Sequence, residues 1–259
     1  MTLALPAFTP PQRDAVHRLL ALKVAGMMGR KFEEADWNDA YCHAKDIPCA
    51  KWSNLGIDVT HVGLGIQHKM LCVPSKVTIR EFCGTQRMHP SATRSIRVPS
   101  TDGDATATAR DVLGQYALLI EGWKAKVLDS APQMVPDLRT GWLLWQDNLR
   151  EFLYFEERLD APDGELYTAE WKDSGGGTRK ASRNLWVYET ATGRKRFSIT
   201  TSAGAKIQPY FDVPPPTDPN LYHFTVQGEA REGGLIRVWV TQSTAAALRH
   251  VAGDSTRSG

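Results

Sequence analysis

The 259-residue sequence holds only four cysteines, Cys42, Cys49, Cys72 and Cys83, and no two of them form a C-x-x-C pair. That spacing argues against the common structural zinc modules, and unpaired thiols of this number fit a reducing compartment. No stretch of about 18 apolar residues occurs, and there is no basic-then-apolar leader, so the reading is a cytoplasmic protein that neither spans nor binds a membrane. An excess of one charge sign is also missing. Lys and Arg number 31 against 29 Asp and Glu, for a formal net charge of +2. Any polyanionic partner must therefore be met by a local basic surface rather than by the total charge. The seven histidines form no H-E-x-x-H pair, and G-x-S-x-G and G-x-x-x-x-G-K-[ST] are both absent. These absences argue against a zincin, an α/β-hydrolase and a P-loop nucleotide site. Internal repeats and low-complexity blocks are lacking as well.

What remains has the composition of an ordinary globular chain, 42% hydrophobic and 23% charged, long enough for a sizeable core. Apolar residues at helical spacing (Val16, Leu19, Leu20, Val24) predict a helix from about residue 11 to 28, with Thr9 as N-cap and Pro10 and Pro11 in its first turn. A second helix is expected over about 31–44. A third, with a broad apolar stripe from Val112 to Val127, is expected over about 105–128 and capped by Asp104 or Thr101. From about Gly141 the pattern turns to strands, at 142–145, 151–155, 166–171, 185–189, 196–201, 222–226 and 235–240, with a last short helix at 243–251.

The stretch with most chemical content is Gly56-Ile57-Asp58-Val59-Thr60-His61-Val62-Gly63-Leu64-Gly65-Ile66-Gln67-His68-Lys69. It reads as a hairpin turning at Val62-Gly63. Asp58 then lies opposite Gln67, and strand alternation puts Gln67 and Lys69 on one face with Asp58. Ile57, Val59 and Ile66 point to a core, with His68 the polar exception on their face. A carboxylate, an amide and an ammonium at one spot suit phosphodiester hydrolysis. The carboxylate would bind Mg²⁺, with the Gln67 amide oxygen and the His68 backbone carbonyl as further oxygen ligands, and Lys69 would stabilise developing charge.

The order Asp58 … Gln67-His68-Lys69 resembles the signature of the PD-(D/E)XK nuclease superfamily, with Gln at the acidic position as in its Mrr-like branch. The resemblance covers residues 30–75. It implies an α/β (α+β) fold, a mixed central sheet flanked by helices, and a helical Glu facing the metal, which Glu33 or Glu34 would supply. The catalytic set implied is Asp58, Gln67, Lys69 and Glu34.

DNA-binding candidates are scattered outside that stretch. Arg94 and Arg97 lie in a segment of basic and hydroxyl residues. Arg179, Lys180, Ser182, Arg183 and Asn184 follow three glycines, and Arg194 and Lys195 sit across a hairpin from them. Arg and Lys suit phosphates, while Arg and Asn also suit base edges. These readings together give a Mg²⁺-dependent endonuclease of the type II restriction class acting on double-stranded DNA. Residues 1–135 would form the nuclease core, and 136–259 a β-rich recognition part packed on it. A palindromic target implies a homodimer. A cognate methyltransferase would protect host DNA without being a physical partner. A repair or modified-DNA nuclease, and a non-catalytic nucleic-acid-binding protein, stay open as alternatives.

Overall fold

The computed structural model describes residues 4–27, 30–48, 56–90, 96–129, 131–174, 182–201, 206–230 and 236–239. The chain is mixed α and β, with three helices and two five-stranded sheets among these residues. Helix α1 spans Pro10–Gly26 and starts with a reciprocal cap: Gln12 N–H donates to Thr9 Oγ1, and Thr9 N–H donates to Gln12 Oε1 at 3.0 Å. Helix α2 spans Glu34–Ala44 and α3 spans Ala105–Asp129. Asp104, rather than Thr101, caps α3, accepting from the N–H of Ala107 at 2.7 Å.

The first sheet contains β1 (Val59–His61), β2 (Leu64–Val73), β4 (Asp137–Gln146), β5 (Glu151–Arg158) and β10 (Tyr222–Thr225), in the order β1-β2-β4-β5-β10. The hairpin turns at Val62 (φ 44°) and Gly63 (φ 79°), as the sequence predicts. Two positive φ values in a row match the primed turns that suit strand twist. Strands β2 and β4 run parallel from Leu64↔Asp137 to Val73↔Gln146, and the crossover between them carries α3. A parallel pair needs a crossover of this kind. Strands β4, β5 and β10 thus complete the sheet that begins with β1 and β2.

The second sheet is antiparallel, in the order β3-β9-β8-β7-β6. Its strands are β3 (Gln86–Met88), β6 (Tyr167–Ser174), β7 (Ser182–Glu189), β8 (Lys195–Thr200) and β9 (Lys206–Asp212). Neither β3 nor β9 stands out in the sequence. Pro209 interrupts the strand pattern of β9, yet it is tolerated because its edge meets β3 where that short strand ends: the ladder stops at Met88↔Tyr210, and His89 N–H donates to Pro209 O at 3.0 Å. A small antiparallel pair, β11 (Gln227–Ala230) with β12 (Ile236–Trp239), follows. The helix expected at 243–251 lies outside the described residues.

The first sheet is covered on both faces. Helices α1 and α2 bury Val16, Leu20, Trp37 and Tyr41 against Val59, Ile66, Tyr154 and Phe224. On the other face α3 joins the second sheet, packing Val112, Leu113 and Ile120 on Leu185, Val187 and Ile199. Trp142 stacks on Phe211 with ring centroids 3.9 Å apart and fastens sheet to sheet, a contact worth about 1 kcal/mol beyond its area. Ile57 belongs to the α3 side, and only Val59 and Ile66 belong to the α1–α2 side, so the three do not share one core. The chain bends between Ile57 and Val59, where strand alternation does not apply. No described helix is long and apolar enough to cross a membrane.

At Gly141 an added Cβ would lie 2.5 Å from His68 Cδ2 and 2.5 Å from Tyr154 Oη, whereas at Gly122 on α3 it would meet nothing within 4 Å. Gly141→Ala is expected to cost about 1–3 kcal/mol by overpacking. Gly122→Ala is expected to stabilise by about 0.5–1 kcal/mol through helix propensity. Urea denaturation of the two variants checks both signs.

Candidate active site

Strand β1 is three residues long, and this brevity creates the site. Its ladder with β2 stops at Val59↔Ile66, and the last backbone bond is from Asp58 N–H to Ile66 O at 2.9 Å. Beyond it no strand among the described residues lies beside that edge of β2. There the Asp58 carboxylate takes the ladder's place, accepting from His68 N–H at 2.6 Å. A strand residue presents its N–H and C=O on the same edge, so the His68 carbonyl also faces the Asp58 side. Asp58 is thus anchored at the β2 edge beside His68, and its charge acts on Lys69.

Gln67 is buried, and its amide Nε2 donates to Gly56 O at 2.9 Å. The contact pins the segment that delivers Asp58 and leaves the amide oxygen of Gln67 uncommitted to Gly56. Gln67 and Lys69 line a cavity on the α3 side of the sheet, while His68 points to the opposite face, among Trp37, Tyr41 and Tyr154.

Helix α2 brings the second carboxyl. Glu33 caps the helix, its N–H donating to Asp36 Oδ2 at 2.9 Å. The next residue, Glu34, turns to the site, within hydrogen-bonding reach of the Asp58 carboxyl. Of the two acidic candidates on this helix, Glu34 is the one that faces Asp58. Partial burial, then the Asp58 charge and hydrogen bond, push the Glu34 carboxyl up to about 7, with Lys69 opposing the shift. Glu34 keeps one side open to solvent. Lys69 is lowered by burial, and the charges of Asp58 and Glu34 hold it up against that effect. Glu34, Asp58 and Lys69 thus form one electrostatic unit.

Behind the strand lies a buried polar network. His68 Nδ1 is 2.5 Å from Asn38 Oδ1, and Nε2 is 3.0 Å from Tyr154 Oη. Tyr154 donates to Glu156 at 2.8 Å, Tyr41 donates to the same oxygen at 2.9 Å, and Arg139 donates to the other at 2.9 Å. With a single ring proton, His68 donates at one nitrogen and accepts at the other, so both ring atoms are satisfied. Burial lowers the His68 pKa to about 3, so the ring is neutral. The network locks the residue between Gln67 and Lys69. Glu156, Tyr154 and Asn38 are absent from the sequence reading. The signal available was a carboxylate at the end of the apolar run Phe152-Leu153-Tyr154-Phe155.

The described DNA-binding candidates do not converge on this edge. Arg94, Arg179 and Lys180 lie outside the described residues. Arg97 is exposed, with its backbone held by Gln115 at 2.9 and 2.8 Å. Ser182 ends the ladder of β7 with β6, and Asn184 pairs with Lys172 and Thr200. Arg183 donates to Thr101 O at 2.7 Å and lies over the Trp171 ring. Arg194 pairs with Asp212, and the Lys195 ammonium sits 3.2 Å from the Trp186 ring centroid. Arg183, Arg194 and Lys195 are thus engaged within the second sheet and its loops.

Among the described residues, no group of three or more His, Cys, Asp and Glu is placed to hold a metal ion. Glu34 and Asp58 make two carboxylates beside a backbone carbonyl, which is the donor set Mg²⁺ accepts while keeping several waters. Comparison of the chain with protein-family models, curated proteins and solved structures gives no match.

Glu34 rises from an ordinary 4.5 to about 7, so protonation stabilises the folded state. Its contribution is complete below about pH 4.5 and is lost as pH rises from there to about 7. Asp58→Asn removes the charge that helps raise Glu34. The Glu34 carboxyl, followed by carbon NMR, is expected to titrate closer to 4.5 in that variant, and the stability decline across this window is expected to shrink.

Proposed function

We propose that the chain is a Mg²⁺-dependent endonuclease that hydrolyses phosphodiester bonds of double-stranded DNA, of the type II restriction class. The observation that carries this reading is the meeting of Glu34 and Asp58 beside Lys69, at the edge where β1 stops. Two carboxyls this close cannot both ionise cheaply unless a cation or proton sits between them. Asp58, Glu34 and the His68 carbonyl would hold Mg²⁺. Bound there, the ion supplies a more acidic water and offsets phosphate charge.

The chain's own residues do the rest. Lys69, part-buried and next to both carboxyls, places its ammonium where a phosphate oxygen gains charge during hydrolysis. Gln67 holds the Gly56 end of the segment, so Asp58 cannot swing away from β2. The His68 network prevents the strand from rotating. A mixed sheet with helices on its faces, the coarse arrangement that the resemblance of the Asp58 … Gln67-His68-Lys69 order implies, supports the reading. On this reading the second sheet and the segment before α3, which carries the exposed Arg97, contribute DNA contacts from the same body. A palindromic target would require two copies, each supplying one such edge.

Supercoiled plasmid incubated with and without Mg²⁺ tests the reading. Wild-type protein is expected to cut only with Mg²⁺, and Asp58→Ala and Lys69→Ala are expected to lose at least about 100-fold in rate. Absence of Mg²⁺-dependent cutting by a folded wild-type protein, or full activity in Lys69→Ala, contradicts it.

A further inference from the structure

A cavity of about 140 Å³ opens between the two sheets, partly exposed to solvent and lined by Gln67 and Lys69 together with residues of the second sheet. Its walls are aromatic: Tyr116 from α3, with Tyr167, Phe197 and Tyr210 from the second sheet. Phe197 meets Tyr116 and Tyr167 edge to face, with centroids 6.4 and 5.7 Å apart. The polar floor is Glu157 from β5. Trp142 Nε1 donates to one Glu157 oxygen at 2.7 Å, and no other hydrogen bond to that carboxyl occurs among the described residues. Arg196, which also lines the cavity, spends its guanidinium on Asp212 and Glu189 at 3.1 and 3.3 Å. Glu157 is half-buried, and its second oxygen is free to accept from a donor seated in the cavity.

Resting on the nuclease reading above, we propose that this cavity receives a single extruded cytosine-type base of the DNA, whose amino group donates to Glu157. The size fits one six-membered ring, since a cavity of about 150 Å³ accepts benzene, whereas a purine bicycle is larger. The chemistry fits because a carboxylate accepts from the cytosine N4 amino group, and thymine presents an acceptor there instead. The position fits because Lys69 borders both the cavity and the carboxyl pair: a nucleotide with its phosphate at Lys69 has its own base one sugar away. Extrusion costs a few kcal/mol, least for a base already weakly paired, and stacking on aromatic side chains returns about 1–3 kcal/mol. Burial, aided by the Asp212 charge, raises the Glu157 carboxyl to about 7, in keeping with a site that exchanges a proton or a donor partner near neutrality.

Calorimetric titration of the full chain with deoxycytidine and thymidine 5′-monophosphates, at a pH well above the Glu157 value of about 7 so that the carboxylate prevails, tests the proposal. The cytidine nucleotide is expected to bind at least about tenfold tighter, the weight of one hydrogen bond to a charged group. Glu157→Gln, which keeps an acceptor for Trp142, is expected to erase most of that preference. Equal affinities, no binding, or a preference surviving in Glu157→Gln overturns it. If Glu157→Gln does not fold, the wild-type ratio decides. Plasmid cleavage on the same preparation separates the two readings. Mg²⁺-dependent cutting without a cytidine preference sinks the base pocket alone. A cytidine preference without cutting upholds the pocket as a nucleotide site and sinks the nuclease.

Discussion

The hydrogen bond from His68 N–H to the Asp58 carboxylate is the contact on which the rest of the site depends. It exists because β1 is too short to pair with β2 beyond Ile66. A side chain replaces a missing strand, so the acid is held at backbone precision. Everything else converges there. Gln67 ties down the approach through Gly56, α2 supplies Glu34, and β2 carries Lys69 past both carboxyls. A longer β1 would satisfy the His68 N–H with backbone and leave Asp58 without its anchor.

The constraint reaches into the core. His68 links the strand to α2 through Asn38 and to β5 through Tyr154, and Glu156 collects Tyr41, Tyr154 and Arg139. Each member has a partner, the condition under which a buried polar network rigidifies rather than weakens a fold. The cost appears as charge crowding at the surface. Partial burial, together with an Asp58 that cannot leave, raises Glu34 to about 7. Such a pair is poised for a cation.

Much of this was legible in the residues and some was not. Helix α1 announced itself through Thr9, Pro10 and its apolar spacing, and the hairpin through Val62-Gly63. Both are local signals, and both elements formed as expected. Asp58, Gln67 and Lys69 are singled out by their order along the chain, but the contacts that hold two of them, His68 N–H to Asp58 and Gln67 to Gly56 O, are not ones that cross-strand alternation describes. Strand β9 was hidden by Pro209, whose tolerance depends on β3, a partner more than a hundred residues earlier. The membership of β4, β5 and β10 in the first sheet was hidden for the same reason: pairing across a crossover leaves no mark in either strand. Glu157 and the aromatic walls of the cavity come from α3 and four strands, a convergence that no window of sequence contains.

The most direct measurement is a carbon NMR titration of the Glu34 carboxyl, performed with and without Mg²⁺. If Glu34 and Asp58 share one cation, Mg²⁺ displaces the proton they otherwise share, and the Glu34 pKa falls from about 7 toward or below 4.5. An unchanged Glu34 titration at saturating Mg²⁺ would contradict the account.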